Sequence, residues 1–137
     1  MTGLMVCVAV LAVASAYGVL HGRRSGRVRV RGRDEGRRLG AEELGGELGA
    51  RATLVQFSSA FCAPCRATRR VLGEVAEMVP GVTHIEIDAE ARLDLVRALD
   101  ILKTPTVLVL DAEGRVVRRA AGQPRRADVI AALGEAV

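Results

Sequence analysis

Aromatic residues are nearly missing from this chain: 137 residues contain no Trp, one Tyr and two Phe. A folded core must therefore be aliphatic, built from Val, Leu, Ile and Ala. The hydrophobic half of the composition can supply one. Cysteine is scarce as well. Three Cys are too few for a disulfide-stapled scaffold, and a domain of about 100 residues does not need one. Histidine is limited to His21 and His84, far apart in sequence, and lysine to Lys103. The usage of Ala, Arg, Gly and Val with a single Lys points to a GC-rich bacterial genome. Residues 1–20 carry no charged side chain at all.

The net charge of +4 is not a property of the whole chain. Residues 21–38 hold eight Arg against Asp34 and Glu35, a balance of +6. Residues 39–137 hold twelve Lys and Arg against fourteen Asp and Glu, a balance of −2. The basicity sits in one short segment. A nucleic-acid-binding fold carries its positive charge on the domain surface, so this distribution argues against one.

The uncharged run is long enough to cross a bilayer. At about 1.5 Å per residue, twenty helical residues span roughly the 30 Å hydrocarbon core. Residues 1–21 are read as a transmembrane anchor. A secretory signal peptide is the rival, because Ala14-Ser15-Ala16 resembles a small-residue cleavage site. No Lys or Arg precedes the run, however, while Arg23, Arg24, Arg27, Arg29, Arg31 and Arg33 follow it. Such charge favours the cytoplasmic side, and the expected orientation is N-terminus out, domain in the cytoplasm, with export as the alternative. Residues 1–38 would be the part that meets lipid. Cys7 lies inside the run and reads as a small apolar residue.

Residues 22–38 are expected to be a basic flexible linker, although Val28 and Val30 alternate with Arg and suit a short edge strand. Residues 39–137 are the folded domain. Leu39, Leu44 and Leu48 suggest a short first helix, weakened by Gly45 and Gly46. Residues 53–57 read as a buried strand and 64–79 as the best helix, with Val71, Leu72, Val75, Met78 and Val79 on one stripe. Strand 82–88 follows, then a helix over 91–99 with Leu93, Val96 and Leu99 toward one face. Strands over 106–110 and 115–120 are joined by a turn at 111–114, and a helix carrying Val129, Ile130 and Leu133 closes the chain. The pattern α, β, α, β, α, β, β, α predicts an α/β domain with a mixed sheet and helices on both faces.

The chemistry concentrates where the first of these strands feeds its helix, at Cys62-Ala63-Pro64-Cys65. Disulfide reduction needs one thiolate to attack and a second thiol to resolve the mixed disulfide. Cys62 falls at the helix N-terminus, where free N–H groups stabilise an anion, so it is the attacking candidate. Cys65, one turn further in, is the resolving candidate. Pro64 suits the first turn, where its missing N–H costs nothing. Half of a zinc site is one alternative, but no second Cys pair is present and zinc usually takes four ligands. An inert buried pair is the other.

Residues 54–66, LVQFSSAFCAPCR, resemble the active-site segment of thioredoxins. Forty residues beyond Cys65, Lys103-Thr104-Pro105-Thr106 resembles that family's cis-proline loop, and Asp111 to Gly114 with Gly122 fits its final hairpin and following glycine. The resemblance implies a thioredoxin fold, dithiol–disulfide exchange and a contribution to cell redox homeostasis. It also implies protein disulfide substrates docking at Phe61, Thr104, Pro105 and Gly122, an electron donor such as a thioredoxin reductase, and no cofactor beyond the Cys62–Cys65 disulfide. Ala63 stands where the family usually has Gly, a change expected to tune the turn. Gln56 stands where a buried Asp often helps deprotonate the resolving thiol. Gln cannot take a proton at neutral pH, and His84 on the next strand is the nearest candidate base. Two functional alternatives stay open: an exported reductase, isomerase or cytochrome c maturation factor, and a non-catalytic redox sensor or binding module.

Overall fold

The computed structural model describes residues 1–24, 28–29, 34 and 37–137. Helix α1, Thr2–Arg24, is followed by a two-residue strand β1, Val28–Arg29, and a single turn α2, Ala41–Leu44. Then come β2, Ala52–Ser58; α3, Ala63–Met78; β3, Val82–Asp88; α4, Leu93–Ala98; β4, Thr106–Asp111; β5, Val116–Ala121; and α5, Arg126–Ala136. The strands form one sheet in the order β1-β5-β4-β2-β3.

β2 is an interior strand between β4 and β3, and every one of its seven side chains is buried, as in a strand covered on both faces. It runs parallel to β3, joined through α3, and antiparallel to β4. Side-chain alternation then splits the core in two. Val55 and Phe57 of β2 join Leu108 and Leu110 of β4 under α2 and α4. Ala52 and Leu54 join Val107 and Val109 under α3 and α5. Phe57 is the one aromatic ring in this core; Tyr17 and Phe61 are exposed.

Several expectations shift. Leu39, Leu44 and Leu48 all pack on the core, but only residues 41–44 are helical, because Gly45 turns left-handed at φ 72° and ends the helix. On α4 the buried residue is Leu95, paired at i, i+4 with Leu99, while Leu93 is exposed. Met78 and Ile130 are likewise exposed rather than part of their helices' buried stripes.

The segment read as a linker also contributes to the fold. Val28 pairs with Ala120 and Arg29 with Arg119, antiparallel on the outer edge of β5. Asp34 is buried and holds Arg119 bidentately, both contacts at 2.8 Å. Arg38 bridges to Arg115. The physical reason is that one carboxylate in the basic run finds the one arginine whose side chain β5 buries. The expectations for Arg27, Val30, Arg31 and Arg33 lie outside the described residues.

α1 is apolar up to Leu20 and turns polar at His21 and Arg23; its most apolar 18-residue stretch has mean hydropathy 2.3, and none of that stretch is buried against the rest of the molecule. At about 1.5 Å per residue its length matches a bilayer core.

Candidate functional site

The sheet brings the ends of β2, β4 and β5 together, and the site is built from the loops that leave them. β2 stops at Ser58, the chain turns through Ser59 to Phe61, and α3 starts at Ala63. Phe61 takes a left-handed backbone, φ 57°, and its ring is fully exposed. That conformation costs a non-glycine residue about 1 kcal/mol or more, so the surrounding turn has to impose it.

Cys62 is the N-cap of α3, and its sulfur accepts the backbone N–H of Cys65 at 3.2 Å. Pro64 sits in the first turn, where no intrahelical N–H is required. Cys62 and Cys65 are joined as a disulfide, with Cα atoms 5.2 Å apart. Cys62 is half-buried and Cys65 is buried. The outer sulfur is thus the one a partner can reach, and it lies where helix N–H groups stabilise a thiolate. Among the described residues no cluster of three or more metal-ligating side chains forms.

Facing the dithiol is the loop before β4. The Thr104–Pro105 bond is cis, and the Pro105 carbonyl accepts the N–H of Gly122 at 2.7 Å. Gly122 has φ 97°, a conformation that favours glycine. Ser59 and Thr104 share a hydrogen bond of 2.9 Å, which ties the two loops together. Thr104, Pro105, Gly122 and Pro64 line one cavity of about 330 Å³. Phe61, Cys62 and Cys65 line a second, of about 300 Å³, with Arg66 and Arg69. The residues picked from sequence for substrate docking therefore flank the thiol pair on two sides. Ser58 and Ser59, two serines between a strand and a Cys pair, hold the turn from both sides, through Gln56 and Thr104, and carry no role in the sequence reading.

Gln56 is fully buried beneath the site. Its Nε2 donates to the Cys65 carbonyl at 2.8 Å and to Ser58 Oγ at 2.9 Å. Its Oε1 lies 3.0 Å from His84 Nε2. A carbonyl can only accept, which fixes the amide's orientation and leaves His84 to donate from Nε2. Burial holds His84 below its ordinary pKa; Glu86 opposes this and Arg69 reinforces it. Arg69 and Glu86 are themselves paired bidentately. His84 thus reaches Cys65 through Gln56, and the contact is to the Cys65 carbonyl rather than to its sulfur.

Comparison with known proteins agrees with this geometry. The thioredoxin family model matches residues 43–135. Thioredoxin H4-1 of Oryza sativa is 31% identical over 84 residues, 60% of this chain and 63% of that protein. The chain thus spans a little under two thirds of that relative's length. Thioredoxin of Mycobacterium tuberculosis is 29% identical over 85 residues, 61% of this chain and 72% of that protein. Among solved structures, chloroplastic thioredoxin z aligns with TM-score 0.56 at 27% identity, covering 63% of this chain and 78% of that one. Fasciola hepatica thioredoxin, at 18% identity, shares the fold with TM-score 0.58 over 71% of this chain and 88% of its own. With Cys62 and Cys65 forming the disulfide at the head of α3 and the cis-proline loop opposite, this chain belongs to the thioredoxin family.

Proposed function

We propose that this protein is a membrane-anchored protein-disulfide reductase that contributes to redox homeostasis, with Cys62 as attacking and Cys65 as resolving thiol. The observation that carries the reading is the N-cap bond from the Cys65 N–H to the Cys62 sulfur, set opposite the Thr104–Pro105 loop. In the reduced form, the Cys62 thiolate attacks a substrate disulfide and releases one substrate thiolate, which takes a proton. Cys65 loses its proton, attacks the Cys62 sulfur, and releases the second substrate thiol. Two electrons pass to the substrate, and the Cys62–Cys65 disulfide remains. A dithiol donor, of the thioredoxin reductase kind, resets the pair.

Substrate backbone would dock along Thr104, Pro105 and Gly122, with Phe61 covering the attacked bond. Gln56 and His84 act as tuning residues by holding the first turn of α3, and Pro64 by starting it. Helix α1 serves as the anchor of residues 1–21, with the domain in the cytoplasm by the arginines that follow. Export to the other side keeps the same chemistry.

Insulin reduction by dithiothreitol tests the activity. The protein should accelerate it and Cys62→Ser should not; equal rates for the two would sink the catalytic reading. Labelling a cysteine engineered at the C-terminus, in intact and lysed cells, tests the side. Reaction only after lysis supports the cytoplasmic placement.

A further inference from the structure

We propose that the dithiol works at the membrane surface, on disulfides carried by integral membrane proteins close to the bilayer. This rests on the membrane-anchored reductase reading above and names its substrate class.

The first support is topological. β1 runs antiparallel to β5 and enters the sheet at Val28, opposite Ala120. The next residue, Ala121, pairs with Thr106, beside Pro105, and Gly122 bonds the Pro105 carbonyl. The chain coming from α1 therefore joins the sheet at its dithiol end. The opposite end of β5, at Val116, lies away from it.

The second support is length. α1 ends at Arg24 and β1 begins at Val28. Four residue steps reach at most about 14 Å, whereas a domain of this size measures roughly 30 Å across, from a radius of gyration of about 13 Å. The tether is too short to present the far end of the domain to the membrane. In keeping with this, Gly22 of α1 shares the wall of the cavity formed by Pro64, Thr104, Pro105 and Gly122.

The third support is the surface itself. Among described residues outside α1, Phe61 and Leu102 are the most exposed large apolar side chains, at 107% and 81%. Phe61 precedes Cys62, and Leu102 lies two residues before the cis Thr104–Pro105 bond of the loop that faces the dithiol. Phe61 has the substrate to cover; Leu102, at 81% exposure, is unburied apolar surface in water and at a lipid interface has a medium to enter.

The test uses full-length protein, reduced with dithiothreitol, freed of excess reductant and reconstituted in phosphatidylcholine–phosphatidylglycerol vesicles. Two single-span reporter proteins carry one disulfide each, about four or about forty residues beyond the span. Thiol labelling after a single turnover reads the reduction. The near disulfide should be reduced at least about 10-fold faster. A twenty-residue Gly-Ser insertion between residues 24 and 25 should bring that ratio to about one. Equal rates in the natural protein, or a ratio unmoved by the insertion, overturn the proposal. The same preparations are assayed on insulin in detergent. Activity there without a depth preference defeats this proposal alone, whereas no activity defeats the reductase reading and this with it. Because the chain has no Trp, Leu102→Trp provides a unique fluorophore. Interface-brominated lipid should quench it and should not quench Met78→Trp, placed at the other end of α3. Equal quenching, or none at Leu102→Trp, also overturns the proposal.

Discussion

Gln56 donates its amide to the backbone carbonyl of Cys65 at 2.8 Å, so the residue beneath the site grips the resolving cysteine by its main chain. The same amide accepts from His84. Gln56→Leu leaves the Cys65 carbonyl, Ser58 Oγ and the His84 Nε2–H without that partner. An orphaned buried group costs about 1–3 kcal/mol, and the half-buried His84, which water can reach, costs less. Urea unfolding should show a loss of that order, and an unchanged midpoint would mean that water or repacking replaces the three bonds.

Gln56→Asp introduces a group that can take a proton. Burial raises its pKa, which suits a base near neutral pH. We expect the mixed disulfide at Cys62 to collapse faster, by about 10-fold or more, since general-base assistance is typically worth at least that much. Stopped-flow measurement of release from a preformed mixed disulfide would read it. No acceleration would show that the Cys65 proton already leaves by another route.

Stability should depend on pH through His84. Burial lowers its folded-state pKa below the ordinary value of about 6.5. The unfolded chain takes up this proton first, so as pH falls through about 6.5 the unfolded state binds more protons. Stability then declines until the lowered folded value is passed, and this group contributes no further loss below it. Glu86 opposes the shift and Arg69 adds to it. Urea midpoints at pH 7.5 and 5.5 should differ, and His84→Gln should narrow that difference. A gap of the same size in the variant would assign it to other groups.

Cys65→Ser should trap substrate on Cys62. With the resolving sulfur gone, the first step still forms a mixed disulfide but nothing within the protein releases it. Non-reducing electrophoresis after mixing with oxidised substrate should show the adduct. Its absence, with Cys62 shown to be reduced, would remove Cys62 from the role of attacking thiol.

Asp34 and Arg119 make a buried bidentate pair. Asp34→Ala leaves a guanidinium 7% exposed without its carboxylate, which typically costs about 3–5 kcal/mol. Adding Arg119→Met should recover part of this loss, because a buried charge no longer lacks its partner. A double variant no more stable than Asp34→Ala would argue against the pair as the cause.

The sequence carries the central strand, the long helix and the Cys pair openly because each depends on local pattern. Leu54, Val55 and Phe57 form one apolar run, and Pro64 and the stripe through Leu72 and Val75 mark α3. The Thr104–Pro105 loop is legible only beside the Cys pair. Other features need the register of the sheet. His84 meets Gln56 because β3 lies parallel to β2 with Leu54 opposite His84. Asp34 is 85 positions from Arg119, and no local pattern in an arginine-rich run marks which carboxylate will be buried. Leu93 and Leu95 are separated by a rotation of the helix that only the packed neighbours decide.

The strand pair β1–β5 bears on how this domain can be cut free of α1. Residues 28–29 occupy the outer edge of β5, where unpaired N–H and C=O groups would otherwise invite a strand from another molecule. A soluble fragment starting at residue 39 exposes that edge along its whole length and strands Arg119 as well. One starting at residue 28 retains both the strand cover and Asp34. The second should stay monomeric at concentrations where the first self-associates.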